Sequence, residues 1–329
     1  MRPFEFYSAQ SASQAVVQHT KNKETHYLGG GTNLLDLMKE DVKRPEHLIE
    51  VADLPYKDIK STSEGGLALG AMMSNTHTAN NTEVKNKYPL LSMAILAAAT
   101  EQIRNMATNG GNLLQRTRCP YYFETSMPCN KREPGTGCGA LDGENSKHAI
   151  FGWSESCVAT HPSDMSVALA ALNATVVVQS ENGESRRIPF TEFHRLPEDR
   201  PEKDTTLSDS ELITSIELPK SEFPTHYYYL KVRERSSYAF ALVSAAVGLQ
   251  LDGKTIRKAG LALGKVAHKP WKLEKVEQFL IGKEATKEVF EQAAELALQD
   301  AKPLKHNAYK IELAKKTLVR ALLQATSRS

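Results

Sequence analysis

The chain has 329 residues, of which 40% are apolar and 24% charged, and its 41 basic and 39 acidic side chains leave a formal net charge of +2. That balance belongs to a globular protein of about two or three domains, and it gives no electrostatic case for nucleic acid. No run of about 18 apolar residues occurs, so no membrane insertion is expected. The opening Met-Arg-Pro-Phe-Glu-Phe-Tyr lacks an apolar signal-peptide core. Cytoplasmic synthesis and folding are therefore expected, with export of the folded chain beside a signal-bearing partner as the alternative.

The first distinctive element is a short strand candidate at residues 25–28, followed by Gly29, Gly30, Gly31, Thr32 and Asn33. A helical pattern then starts at Leu34. Strand, glycines and helix N-terminus together present backbone N–H groups to an anion such as a phosphate. One such loop is commonly just a turn, and it is not the classical G-x-G-x-x-G. An Ala-rich helix pattern over residues 90–99 leads into a second loop, Thr108-Asn109-Gly110-Gly111-Asn112. Its small polar residues again suit a pyrophosphate or a flavin edge.

Next come Cys119, Cys129, Cys138 and Cys157, which are all the cysteines of the chain, in the pattern C-x9-C-x8-C-x18-C. The stretch between them is rich in Pro and Gly and reads as one long irregular loop, packed through Tyr121, Tyr122 and Phe123. Four thiolates fit a [4Fe–4S] cluster, and they fit a structural zinc equally well. Two disulfides would need an oxidising compartment, and ordinary buried thiols are the plain reading. His148 and His161 lie near enough in sequence to substitute as ligands. A third candidate loop, residues 160–164, opens a helix pattern over 165–173. Ser163 or Asp164 would cap that helix, or Asp164 would accept hydrogen bonds from sugar or ribityl hydroxyls. Residues 196–209 read as an exposed loop. Alternation around 243–251 and the turn Leu251-Asp252-Gly253-Lys254 predict a three-stranded antiparallel meander. Two periodic helices follow, one through Val289, Ala293 and Leu296, the other through Ile311, Ala314, Leu318 and Leu322.

Three ordered segments resemble the FAD subunit of the xanthine dehydrogenase, or molybdenum hydroxylase, family: Leu-Gly-Gly-Gly-Thr-Asn-Leu-Leu-Asp-Leu-Met-Lys (28–39), Gln-Ile-Arg-Asn-Met-Ala-Thr-Asn-Gly-Gly-Asn-Leu (102–113) and His-Pro-Ser-Asp-Met-Ser-Val-Ala-Leu-Ala-Ala-Leu-Asn-Ala (161–174). Residues 229–247, 262–267 and Pro270-Trp271 resemble its C-terminal flavoprotein domain, and 188–219 its strand-rich return. The cysteine-bearing stretch separates two motifs that usually lie close together. That insertion, with Arg-Cys-Pro-Tyr-Tyr-Phe, Cys-Asn-Lys-Arg and Gly-Thr-Gly-Cys, is similar to the subgroup of bacterial periplasmic aldehyde oxidoreductases whose flavin subunit carries a [4Fe–4S] cluster.

The resemblance implies an α+β protein. A PCMH-type FAD-binding domain would occupy residues 1–222, with a subdomain break near 55 and the iron–sulfur insertion at 115–160. A carbon monoxide dehydrogenase flavoprotein-type domain would occupy 223–329. It implies FAD held by Gly29, Gly30, Gly31, Thr32, Asn33 and Leu34 at the pyrophosphate. Thr108, Gly111 and Asn112 would line the diphosphate and flavin side, Asp164 would meet the ribityl or ribose hydroxyls, Ile213 would pack near the ring, and Lys231 would approach the isoalloxazine. All four cysteines would be cluster ligands, with no histidine among them. Tyr238 stands where the family usually has aspartate, and His161 where it usually has serine. No catalytic residue is expected in this chain. A molybdopterin-binding large subunit would oxidise an aldehyde or related substrate, a [2Fe–2S] small subunit would relay electrons in a heterotrimer, and FAD would pass them to an external acceptor. A stand-alone FAD dehydrogenase with a structural zinc, or an assembly scaffold without flavin, are the alternatives.

Overall fold

The computed structural model describes residues 1–328. The chain opens with β1 (Glu5–Ser8), α1 (Ala12–Lys21), β2 (Thr25–Leu28), α2 (Leu34–Lys39) and β3 (His47–Glu50). These form a parallel sheet in the order β1-β3-β2. Ser11 starts α1 by accepting a hydrogen bond from the Gln14 N–H. Because β2 is the strand that runs into Gly29, Gly30 and Gly31, the glycine loop emerges at the carboxyl end of a parallel sheet.

The second sheet has the order β4-β5-β8-β6-β7. Its strands are β4 (Ile59–Ser61), β5 (Leu67–Gly70), β6 (Thr175–Ser180), β7 (Ser185–Pro189) and β8 (Glu211–Leu218). Between β5 and β6 lie the helices and loops that carry most of the motifs. These are α3 (Asn75–Asn80), α4 (Thr82–Lys87), α5 (Pro89–Leu96), α6 (Glu101–Met106), α7 (Asn109–Leu113), α8 (Pro120–Phe123), α9 (Gly139–Asp142) and α10 (Asp164–Ala171). A single turn, α11 (Phe190–Phe193), follows β7. The expected helix at 90–99 stops at Leu96, and that at 165–173 spans Asp164–Ala171. Every residue of α10 is buried, because it packs on α5 and on two strands of the third sheet. A helix apolar on all sides needs cover on all sides.

The third sheet is antiparallel, in the order β12-β11-β10-β9. It comprises β9 (His226–Val232), β10 (Val243–Asp252), β11 (Thr255–Gly264) and β12 (Trp271–Lys272). The expected meander is therefore four-stranded, since Trp271 and Lys272 pair with Leu263 and Ala262. The β10–β11 turn uses Gly253 at φ +59, where a side chain would be strained. Helices α12 (Glu274–Leu280) and α14 (Tyr309–Thr326) cover this sheet, and α13 (Lys287–Leu298) packs on both helices.

Two expectations need correction. The cysteine stretch is not wholly irregular, since α8 and α9 each add one turn. The 196–209 segment is not simply exposed. Pro197 and Pro201 are buried, and the Lys131 ammonium donates to the Pro201 carbonyl at 2.6 Å. Its charged and Pro-rich composition looked solvated, but Asp204 pairs with Arg116 and Lys131, and Ser154 Oγ donates to the Glu198 carbonyl.

Candidate flavin cavity and cysteine pocket

A cavity of about 1190 Å³ opens between the glycine loop, α7, β8 and the third sheet. It is somewhat larger than the ~300–1,000 Å³ of most small-molecule sites. Gly29, Gly30, Gly31, Thr32, Asn33 and Leu34 line it, as do Thr108, Gly111, Asn112, Asp164, Ile213 and Lys231.

The two motif loops meet because glycine lets them. A Cβ on Gly30 would lie 1.8 Å from the Met106 carbonyl oxygen, and one on Gly29 2.9 Å from Thr108 Oγ1. Thr108 Oγ1 in turn accepts the Gly111 N–H at 3.2 Å and starts α7. Asn109 is fully buried. Its side chain accepts from Asn75 and Thr78 and donates to the Gly70 carbonyl, pinning the loop to β5 and α3. Asn75 and Asn109 thus carry the loop's position, a role that their sequence context did not signal.

Asn33 Oδ1 accepts the Arg116 N–H at 2.8 Å, while its Nδ2 is buried without a partner. Tyr27 Oη and Arg118 Nε, from the same cavity wall, are also buried and unpaired. Buried donors without partners cost about 1–3 kcal/mol each. A wall that keeps several of them beside glycine backbone fits a polar, anionic ligand such as a dinucleotide.

Asp164 and Lys231 both line the cavity and pair with each other there. Lys231 Nζ lies 2.8 Å from Asp164 Oδ2, and both side chains are nearly buried, at 5% and 6% exposure. Tyr229 Oη donates to Asp164 Oδ1 at 2.5 Å, and Lys231 also donates to the Ala97 carbonyl at 3.0 Å. The two residues expected to reach different parts of the cofactor are thus paired with each other on the cavity wall. Burial pushes the Asp164 carboxyl up, against the pull of Lys231 and Tyr229. Lys265, on the same wall at φ +62, is pushed down to about 8 by burial. Asn112 is likewise held by protein, accepting from Ser163 Oγ at 2.6 Å and donating to Asn75. Ser163 is the residue that caps α10, accepting the Ser166 N–H at 3.0 Å. Leu212 and Ile213 are both buried and both line the cavity. His161 stacks obliquely on His194 with ring centroids 4.3 Å apart. Tyr238 sits at the cavity mouth, 60% exposed and at φ +48.

A second, narrow pocket lies behind this cavity. All four cysteines line it, together with Tyr122 and Lys131. Cys129 and Cys138 face each other across an isolated antiparallel bridge, so the loop folds back on itself. The four thiols are free, and Cys119, Cys129 and Cys157 are buried. The chain around the cysteines turns tightly, with the Tyr122 N–H donating to the Cys119 carbonyl and the Leu141 N–H to the Cys138 carbonyl, both at 3.1 Å. The Cys157 thiol donates to Cys138 and lowers it, while burial pushes Cys119 up to about 12. His148 Nε2 stands 3.2 Å from Cys119 Sγ, so a histidine does reach the pocket, as a hydrogen-bond partner of a cysteine. Among the described residues, no group of three or more His, Cys, Asp or Glu converges tightly enough to hold a single metal ion. The pocket offers four sulfurs spread around its wall instead. Thr117 and Cys119 line both pocket and cavity.

Three charged residues at this shared wall had no signal in the sequence. Asp204 pairs with Arg116 Nε at 2.7 Å and with the buried Lys131 ammonium. Burial opposes its charge, yet Arg116 and Lys131 hold its carboxyl well below the usual range.

A cavity walled by a glycine loop at the end of a parallel sheet and by a second, antiparallel domain suits a dinucleotide cofactor, and comparison with known proteins gives the class. Residues 2–221 match the FAD binding domain in molybdopterin dehydrogenase, and residues 228–325 match the CO dehydrogenase flavoprotein C-terminal domain. The chain belongs to the FAD-binding subunits of the molybdopterin dehydrogenases, which are oxidoreductases. It is 42% identical over 330 residues to the aldehyde oxidoreductase FAD-binding subunit PaoB of Escherichia coli (strain K12), covering 100% of both chains. It is 27% identical to the glyceraldehyde dehydrogenase medium chain of Sulfolobus acidocaldarius, covering 97% of this chain and 96% of that one. Carbon monoxide dehydrogenase from Hydrogenophaga pseudoflava has the same fold, with a TM-score of 0.77 at 24% identity, covering 99% of this chain and 98% of its own. No helix among the described residues is long and apolar enough to cross a membrane.

Proposed function

We propose that this chain is the FAD- and [4Fe–4S]-bearing electron-transfer subunit of an aldehyde-oxidising molybdenum enzyme. The observation that carries the cluster part is the meeting of all four cysteines on one pocket, with three of them buried. When bound, FAD supplies exchange between one-electron and two-electron chemistry. This chain's own work is binding and exclusion of water. Gly29, Gly30, Gly31 and Thr32 bring backbone donors to the pyrophosphate. Asn33 Nδ2 and Thr108 flank it, and Leu34 and Ile213 supply apolar wall. Asp164 and Lys231, paired on the cavity wall, would meet the ribityl or ribose hydroxyls and the isoalloxazine respectively. Cys119, Cys129, Cys138 and Cys157 would hold the cluster, and His148 Nε2 stands 3.2 Å from Cys119 Sγ.

A molybdopterin-binding large subunit oxidises the substrate in this reading, and a [2Fe–2S] small subunit relays the electrons. An external acceptor then removes them from this chain. The compartment follows the partners, and co-export with a signal-bearing subunit puts the chain in the periplasm. The FAD-binding domain ends at 222, its subdomain break lies near 55, and 115–160 is the insertion.

Visible spectroscopy with metal analysis tests the proposal. Flavin bands with a broad shoulder at about 400 nm that dithionite bleaches, and about four irons per chain, are expected. Flavin bands with stoichiometric zinc and no iron would overturn the cluster, and a colourless protein the flavin assignment. Co-expression with its partners should return a three-chain complex on size exclusion.

A further inference from the structure

The shared wall holds an ionic arrangement that neither site needs on its own. Arg116 touches the flavin side twice: its N–H holds Asn33 of the glycine loop at 2.8 Å, and the residue lines the cavity. Its guanidinium lies over the Tyr122 ring at 5.4 Å, and Tyr122 lines the cysteine pocket. Lys131 also lines that pocket, and its side chain is only 2% exposed. Asp204 reaches in from the β7–β8 connection and bridges the two cations. Cutting one member of this partly buried ion network leaves the others short of a partner away from bulk water. Two cations against one carboxylate leave a surplus positive charge beside Cys129 and Cys157, which a group bound by four thiolates offsets.

We infer that Asp204 is a positioning residue that couples the two sites, so that a filled cysteine pocket tightens FAD binding through Lys131, Asp204 and Arg116. The inference rests on the cluster reading above. Coupling of this kind is reciprocal, so FAD must also slow cluster loss by the same factor.

The test is a four-way cycle on the purified full chain. FAD affinity is measured by fluorescence titration of deflavinated protein, with the cluster intact or stripped by ferricyanide and a chelator, for wild type and Asp204→Asn. Stripping should weaken FAD about tenfold in wild type and less than about twofold in Asp204→Asn, a coupling typical of linked sites. Lys131→Gln cuts only the pocket half of the network and covers the case where Asp204→Asn does not fold. It should abolish the coupling. Asp204→Glu should restore the coupling. Iron present, with the same effect of stripping in wild type and in both charge-removing variants, would overturn this inference alone. Absence of iron from the wild-type protein would overturn the cluster reading, and the coupling with it.

Discussion

The flavin cavity and the cysteine pocket share a wall at Thr117 and Cys119, yet they are assembled by opposite routes. The pocket is drawn from one continuous stretch, residues 117–159. The cavity collects residues from His19 to Lys265, from all three sheets' surroundings. The pocket is held by turns and short backbone bridges between near neighbours. The cavity is held by glycine contacts, a buried amide network and a buried ion pair between residues 67 positions apart. A local site tolerates damage elsewhere in the fold, whereas a dispersed one depends on every element that meets there.

The sharpest break of that comparison is at the pocket. Cys138→Ser removes one of four sulfurs, and essentially all iron and the shoulder at about 400 nm should be lost, while flavin bands persist at saturating FAD. Metal analysis and visible spectra read this directly. If iron survives, the pocket is not one unit.

The dispersed site should show its dependence at Lys231. Lys231→Met leaves Asp164 buried with only Tyr229 as partner, at a cost of about 3–5 kcal/mol in unfolding by urea. The loss should reach the cavity as well, with weaker FAD retention on gel filtration. A stable, flavin-replete variant would mean that the pair is dispensable to the cavity.

The histidines between the two sites sharpen the comparison through pH. Burial drives His194 down to about 4, from an ordinary 6.5. The unfolded chain therefore binds a proton first as pH falls. The stabilisation is complete above 6.5 and is lost as pH drops towards 4, by about 3 kcal/mol for this residue. His194→Gln should flatten stability against pH in that window. Asp204 works lower on the scale. Its depressed carboxyl contributes above about pH 4 and loses that contribution as pH falls further.

The smallest expected effect is at Ser163, which caps α10 and donates to Asn112. Ser163→Ala should cost about 1 kcal/mol, typical of a lost N-cap, measured by urea unfolding. A small accompanying loss of FAD affinity would tie the cap to the cavity, and none would confine it to the helix.

Much of the site was legible in the sequence, for reasons that can be named. The turn from Leu28 through the glycines to Leu34 is local chemistry, because only glycine permits the Gly30 approach to Met106. The helices at α13 and α14 follow from periodicity, and the β10–β11 hairpin from its Asp-Gly turn. The concentration of cysteines marks the pocket because four ligands in one loop need no distant partner to meet. The sequence also hid several things. Nothing local distinguishes Asp204 from the other acids of a charged, Pro-rich connection. Asp164 read equally well as a cap or as a sugar ligand, and the fold made it the partner of Lys231 while Ser163 took the cap.

By itself, then, the sequence determined the family, the order of its motifs and the local shapes of its loops, since each depends on residues within a few positions of one another. Tertiary structure alone decided which charges meet. Ion pairs such as Asp164–Lys231 and Asp204–Arg116 join segments far apart in the chain, and such pairs carry no periodicity or spacing. They arise only when packing of α10 and docking of the 196–209 segment bring a carboxylate out of water and leave it a single cationic neighbourhood in which to stay charged.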